Sequence, residues 1–295
     1  MIPQYPNLKP LTIEDLPEIK EQLNDKSLSI CEFAKANLII WQNFDKPQIT
    51  KINNNLCILI SPPNEDPFFF QPLGNNKLIE TLDICVKETS RVSRVSESFI
   101  KTLPHNKYKI KCLRDQFDYV YETKTLAEMK GRKFDGKRNH IKKFERACPT
   151  CHCQAITPDK KDQLLNLFET WFEDKKTIRF FPKFAHLSQR QALDNALKYF
   201  KELNFLGCAM YDKDQLIGFI LGSPLNDLTL SAHFQYGHPK YPGIFPALLK
   251  AGCMKSFADF KFINLEQDIG IPGLRKSKLS YQPIKLEKKY EIKST

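Results

Sequence analysis

Near the end of the chain, three kinds of chemistry crowd into twenty residues. Glu266 and Asp268 come first, then the turn Gly270-Ile271-Pro272-Gly273, then the cations Arg275, Lys276 and Lys278, and finally Tyr281. The apolar residues from Phe262 to Leu265 read as a strand leading into them, and side chains two apart on a strand share a face. A carboxylate held in a half-buried cleft gains affinity for protons, which suits general-base work on an amine or hydroxyl nucleophile. Glu266, Asp268 and Tyr281 are therefore the candidate catalytic residues. The plain alternative is local: one carboxylate caps the turn and the other pairs with Arg275 or Lys276. A second strand, around His233-Phe234-Gln235-Tyr236, supplies His233 and Gln235 as candidate substrate-binding groups. Gln235 hydrogen-bonds without taking a proton, and His233 is equally readable as a satisfied strand histidine.

The cationic side of the chemistry has its own stretch. Residues 124–144 hold eight Lys or Arg against two acids. Asp135 is the expected N-cap of a helix beginning at Gly136. The helical period puts Lys137, Ile141 and Phe144 near one face and Arg138, Lys142 and Glu145 near another. Apolar residues anchor such a helix and leave the cations to hold phosphates, with Arg138 capable of a bidentate contact. Lys137, Arg138 and Asn139 are candidates here, as are Arg275, Lys276 and Lys278; a solvated helix face is the competing reading. Lys240 and Gly243 precede a further helix at 244–258, where backbone N–H groups could receive a phosphate. An acyl-CoA-binding loop would carry a second small residue there, and Phe245 and Pro246 stand in its place.

Nine cysteines include Cys148, Cys151 and Cys153, and the first pair has the C-x-x-C spacing that grips a metal. There is no second pair of that kind, the other cysteines are scattered singly, and Cys151 and Cys153 share a strand face where a thiol packs well. No metal is expected. The start of the chain has no basic tip with an apolar run behind it, and no run approaches the ~18 apolar residues of a spanning helix. The cysteines are accordingly expected to be reduced thiols in a cytoplasmic protein.

These groups need elements to position them. At 295 residues, 41% apolar and 27% charged, the chain is globular and large enough for two domains. Lys and Arg outnumber acids 45 to 34, a net +11 that favours polyanionic partners. Helical periodicity covers 12–24, 29–41 and 77–103, with strand-like text between them and after them up to Glu122. Two amphipathic helices at 161–174 and 188–203 then precede three strands, with a hairpin at Asp212-Lys213-Asp214, a helix, the strand at 262–268, a basic helix and a closing strand ending near Ile292. This order predicts an α/β (α+β) chain of two domains, 1–117 and 118–295, with mixed, mostly antiparallel sheets flanked by helices.

Over 118–144, 156–159 and 262–283, with the closing Leu286-Glu287-Lys288-Lys289-Tyr290, the sequence resembles the phosphatidylglycerol lysyltransferase C-terminal-domain family. The resemblance implies two tandem GNAT-like domains, akin to Fem-type transferases, with the transferase cleft in the second. It implies transfer of an acyl or aminoacyl group, with aminoacyl-tRNA or acyl-CoA as co-substrate and no permanently bound cofactor. It also implies tRNA, an anionic lipid head group, or an amine or peptide acceptor as partners. The usual relative reads His-x-Glu-Lys where this chain has His233-Phe234-Gln235-Tyr236, and Arg-Glu-Glu-Asp where it has Leu265-Glu266-Gln267-Asp268. Those departures leave a second expectation open: a non-catalytic polyanion-binding module of the same fold, specific for tRNA or a phospholipid head group.

Overall fold

The computed structural model describes residues 1–23, 28–175 and 185–295. The chain divides into two compact units, Met1–Asp118 with Glu287–Thr295, and Tyr119–Leu286. The expected boundary at 117/118 thus lies one residue from the observed one, but the closing segment belongs to the first unit and not the second. Strand pairing decides this: Lys289–Ser294 lies between the strands Val92–Ser96 and Tyr108–Cys112, and partners so distant in the chain leave no local mark in a sequence.

The first unit contains β1 (Lys9–Pro10), α1 (Lys20–Leu23), α2 (Lys35–Ile40), α3 (Gln42–Asp45), β2 (Gln48–Ile52), β3 (Asn55–Ile60), β4 (Phe68–Phe69), α4 (Leu78–Thr89), β5 (Val92–Ser96), α5 (Glu97–Ile100) and β6 (Tyr108–Cys112). The second contains β7 (Asp118–Glu122, beginning one residue before it), α6 (Thr123–Glu128), α7 (Asp135–Ala147), β8 (Cys151–Ala155), α8 (Lys161–Lys175), α9 (Ala185–Lys198), β9 (Leu206–Asp212), β10 (Gln215–Pro224), β11 (Thr229–Gly237), α10 (Ile244–Met254), β12 (Phe262–Asn264), α11 (Pro272–Leu279) and β13 (Lys285–Glu287). The last strand, β14 (Lys289–Ser294), returns to the first unit. Each unit holds one seven-stranded sheet, in the order β1-β2-β3-β4-β5-β14-β6 and β13-β7-β12-β11-β10-β9-β8. The helix expected over 12–24 is instead a short 3-10 turn at Ile13–Asp15 followed by α1, and residue 24 lies outside the described residues. Thr12 precedes that turn, and its N–H and hydroxyl both donate to Asp15, at 3.0 and 3.2 Å.

In the first unit, β14 carries a charge into the core. Lys289 is fully buried, and its ammonium lies 2.6 Å from Asp118 and 2.6 Å from Glu32. Burial alone would strip its proton, but Asp118, Cys31 and Glu32 together hold it charged, above the ordinary lysine value. Nearby, Arg94 adopts a left-handed φ of 54°, which turns its guanidinium over Phe68 at 4.7 Å and onto Glu65 at 2.8 Å. This cluster has a measurable consequence at Asp45. Burial pushes the Asp45 carboxyl up to about 6; Arg94 opposes the rise, and Glu65 and Glu32 add to it. A folded-state value above the unfolded one means that the fold prefers the protonated acid. Asp45 therefore costs stability above pH 6, and the cost fades as pH falls toward 4. Asp45→Asn should raise stability by about 1–2 kcal/mol at pH 8. Denaturant melts of both proteins at pH 8 and pH 4.5 should show that gain shrinking at the lower pH.

The second unit is built on one thick core. Tyr119 and Tyr121 from β7, Ile141 and Phe144 from α7, Ile217 and Ile220 from β10, Leu248 and Leu249 from α10, and Ile263 from β12 pack together. Ile141 and Phe144 are three apart, so one face of α7 is fixed to the core, where it packs on α10, and the other is left to the cations. Each buried side chain of this size contributes about 1.5–3 kcal/mol. β9 and β10 form the expected hairpin, with Asp212 opposite Gln215.

Candidate active site

The sheet of the second unit opens where β11 meets β12. The two are parallel, with Thr229, Leu230 and Ser231 opposite Phe262, Ile263 and Asn264. There β12 stops, while β11 runs on through His233 and Gln235 to Gly237. The stop is local. Glu266 has a left-handed φ of 58°, and its N–H donates to the buried Asn264 side chain at 2.7 Å, a turn that lifts the chain off the sheet. Glu266 and Asp268 therefore do not share a strand face as their spacing predicts, and the two acids end in different environments.

Glu266 lies at the open end. Its Oε1 accepts from Ser231 Oγ at 2.9 Å and from His233 Nδ1 at 2.8 Å. The other ring nitrogen, Nε2, lies 2.7 Å from Ser223 Oγ. An ionised carboxylate only accepts, so the network assigns the Nδ1 proton to His233 and leaves Nε2 to the Ser223 hydroxyl. The residue types are those of a serine–histidine–acid triad, but the order of exposure is reversed. Ser223 is 1% exposed and the His233 side chain 0%, whereas Glu266 keeps 16%. Ser223 cannot meet a substrate carbonyl; the carboxylate is the end that faces outward.

Asp268 is fully buried. It accepts from Tyr119 Oη at 2.5 Å, from Arg275 Nε and NH2 at 2.9 and 2.8 Å, and from the Gly270 N–H at 2.9 Å. Burial would raise its pKa, yet Arg275, Tyr119 and Gly270 outweigh that and hold it at about 2. A carboxyl so acidic and so enclosed is a poor base at neutral pH, so Asp268 is an anchor and not the acid–base group expected of it. The same geometry corrects the reading of the α11 cations. Arg275 is committed to Asp268, and Lys278 donates to the Leu265 carbonyl at 2.6 Å and to that of Gln267. Both clamp the 265–270 loop. Lys276 remains exposed. Tyr281 is buried edge-on against Tyr121, with ring centroids 6.4 Å apart, and is a core residue.

The other candidates also sort by environment. Asp135 is the first residue of α7, not its cap, and pairs with Arg138. Arg138 further donates to the carbonyls of Met129 and Gly131 at 2.6 and 2.8 Å, so three of its five N–H groups are spent on closing the preceding turn. Asn139 is exposed, and Lys137 is partly buried beside Tyr281. Gln235 donates to the Phe245 carbonyl at 2.6 Å in the first turn of α10. Lys240 is exposed. Gly243 has φ 89°, and a Cβ there would lie 2.1 Å from the His140 carbonyl oxygen, so glycine lets α10 pass against α7. Cations that the sequence did not single out, Arg132, Lys133 and Arg146, are exposed together with Lys142 and Lys143 along α7 and its approach. Ser223 and Ser231 were missed too; their one sequence signal is Ser231-x-His233, two apart on one strand.

Cys148 and Cys151 form a disulfide, against the expectation of reduced thiols. The C-terminus of α7 and the start of β8 bring them together, with Cys148 N–H bonded to the Phe144 carbonyl at 2.9 Å and Cys151 N–H to that of Cys148 at 3.2 Å. Among the described residues, Cys148 and Cys151 lie beside Asp212 but are tied up in the disulfide, and the cluster Cys31, Glu32 and Asp118 surrounds the Lys289 ammonium.

In the second unit, then, a mixed sheet flanked by helices parts beside a parallel strand pair, with the Glu266 carboxylate at the parting. The chain belongs to the family described as phosphatidylglycerol lysyltransferase, C-terminal, whose sequence model matches residues 26–293. A conserved protein of unknown function from Bacteroides thetaiotaomicron superposes with a TM-score of 0.88 at 25% identity, covering 100% of both chains. The C-terminal domain of a putative lysylphosphatidylglycerol synthetase from Agrobacterium fabrum superposes with a TM-score of 0.65 at 12% identity, over 96% of this chain and 92% of that one. L-PGS from Bacillus licheniformis gives 0.65 at 14% identity, over 100% and 94%. An uncharacterized protein of Mycoplasmoides gallisepticum is 24% identical over 200 residues, which is 64% of this chain and 60% of that relative's length. No helix among the described residues is long and apolar enough to cross a membrane.

Proposed function

We propose that the second unit transfers an acyl or aminoacyl group to an amine or hydroxyl acceptor, with Glu266 as the general base. The observation that carries this reading is the outward Glu266 carboxylate, set by Ser231 and His233 at the point where β12 leaves β11. Glu266 takes the proton of the acceptor as its N or O attacks the donor carbonyl. The donor's leaving oxygen or sulfur departs with the electron pair and is protonated. Ser231 and His233 hold the carboxylate in one orientation, so none of its reach is lost to rotation.

Aminoacyl-tRNA is the favoured donor and acyl-CoA the second choice. The exposed Arg132, Lys133, Lys142, Lys143 and Arg146 offer a polyanion several contacts. The start of α10, where a pyrophosphate would dock, is instead occupied by packing: Gly243 against His140, and the Phe245 carbonyl against Gln235. The names of the relatives favour an anionic lipid head group as acceptor, with a free amine or peptide as the alternative. No permanently bound cofactor is required by this chemistry.

One observation favours the second reading, a binding module without turnover. Gln235, standing where the usual relative has an acid, is spent on a backbone carbonyl. A gel shift with charged tRNA, run beside a transfer assay, separates the two. Five outward cations should make affinity fall by about 10²–10³-fold between 50 and 200 mM salt. Transfer of the labelled amino acid to a lipid or amine acceptor supports catalysis. Salt-sensitive binding with no transfer to any acceptor would leave only the binding module.

A further inference from the structure

The turn between α7 and β8 carries the C-x-x-C pair, Cys148-Pro149-Thr150-Cys151. The Cys151 N–H closes it on the Cys148 carbonyl at 3.2 Å, and the Cα atoms of the two cysteines are 5.4 Å apart. Asp212 on β9 is the register partner of Cys151, directly opposite it in the sheet. Cysteine spacing gives no hint of that acid, because it arrives on a neighbouring strand. The two sulfurs and an Asp212 carboxylate oxygen all lie within 4.8 Å of one another.

The carboxylate is held in position. One oxygen, Oδ1, accepts from Thr150 Oγ1 at 2.7 Å, and the other, Oδ2, accepts from Tyr241 Oη at 2.9 Å. Such outer contacts orient a ligating carboxylate, and each oxygen keeps a further lone pair. Cys148 is buried, whereas Cys151 and Asp212 are half-buried, so the group has one side in the core and one open to solvent. The other cluster, Cys31, Glu32 and Asp118, is enclosed and already filled by an ammonium. Tetrahedral zinc, with bonds of about 2.3 Å to sulfur and about 2.1 Å to oxygen, sets its ligand atoms about 3.6–3.8 Å apart. The three atoms here fall within reach of that spacing once the sulfurs are no longer bonded to each other.

We propose that, with the Cys148–Cys151 disulfide reduced, Cys148, Cys151 and Asp212 bind zinc or a similar thiophilic divalent cation, with water in the fourth position. A dithiol reductant supplies two electrons and two protons: its own sulfurs close to a disulfide as the Cys148–Cys151 bond opens to two thiols. Each thiol then releases its proton as its sulfur takes the metal. Two thiolates and a carboxylate bring three negative charges to the ion, and sulfur ligands select zinc over magnesium or calcium. The bound ion ties the end of α7 to β9, a link that the disulfide, which joins α7 only to the start of β8, does not make. This inference is independent of Glu266 and of the transfer reaction proposed above.

The test uses the full-length protein, reduced with a dithiol, desalted under argon and titrated with cobalt(II) and then zinc(II). Reduced protein should take up a single equivalent of cobalt with a thiolate-to-metal charge-transfer band, and zinc should displace it. Protein with its disulfide intact should bind neither. Cys151→Ser should abolish the band. Asp212→Asn leaves both thiols in place, so it should keep the band but weaken zinc binding by at least about ten-fold. Cys153→Ser, two residues along β8, should change neither property. Reduced wild-type protein that takes up no stoichiometric metal would overturn the proposal. So would zinc affinity unchanged in Asp212→Asn, or metal binding lost in Cys153→Ser.

Discussion

Glu266→Gln should reduce group transfer by about 10²–10⁴-fold while leaving the second unit folded. Glutamine keeps an oxygen that Ser231 and His233 can donate to, and it fills the same volume, so those two contacts are retained. What it loses is the ability to take a proton. The measurement is a single-turnover rate with charged tRNA and excess acceptor, beside a thermal melt of the same sample. A lowered rate with an unchanged melt places the loss in the chemistry. An unchanged rate would remove Glu266 from the role of base.

Asp268→Asn should do the reverse, acting first on stability. The substitution leaves the Arg275 guanidinium without its counter-charge and the Tyr119 hydroxyl without its carboxylate acceptor. Removing one partner of a buried pair costs about 3–5 kcal/mol; because Arg275 is 32% exposed, the expectation here is about 2–3 kcal/mol. In a unit of this size that lowers the melting temperature by about 5–10 °C. The pH dependence identifies the cause. The Asp268 pKa is depressed to about 2, so its contribution is fully present above the unfolded value near 4 and is lost as pH falls toward 2. The asparagine variant should lack that acid-sensitive step, with the gap between the two proteins closing between pH 4 and pH 2. Equal stability at pH 7 would show that the Asp268–Arg275 pair does not anchor the loop.

The two acids could not be told apart from the sequence, and the reason is specific. Their spacing implies a common face only if the strand continues through them. It stops at Asn264 because Glu266 takes a left-handed backbone conformation, which a glutamate does not advertise as a glycine would. Arg275 and Lys278 are legible as cations, but their inward direction depends on α11 lying against the loop that it follows. By contrast, α7 was readable at nearly its true length because Ile141 and Phe144 repeat at the helical period, and the β9–β10 hairpin was readable from its turn. Lys289 and its strand were assigned to the wrong unit because nothing near them reveals a partner as distant as Asp118. The Ser223–His233–Glu266 chain escaped for the same reason: its members come from three strands or their ends and meet only in the folded sheet.

The most direct test of the account is a crystal structure of the protein with a non-hydrolysable aminoacyl-adenosine, in which an amide replaces the ester to the ribose. The account expects the aminoacyl carbonyl carbon in the opening beyond Ser231 and Asn264, about 4–6 Å from the Glu266 carboxylate, with space for a nucleophile between them. Ligand bound away from Glu266, with the end of β11 closed over by packed side chains, would contradict it.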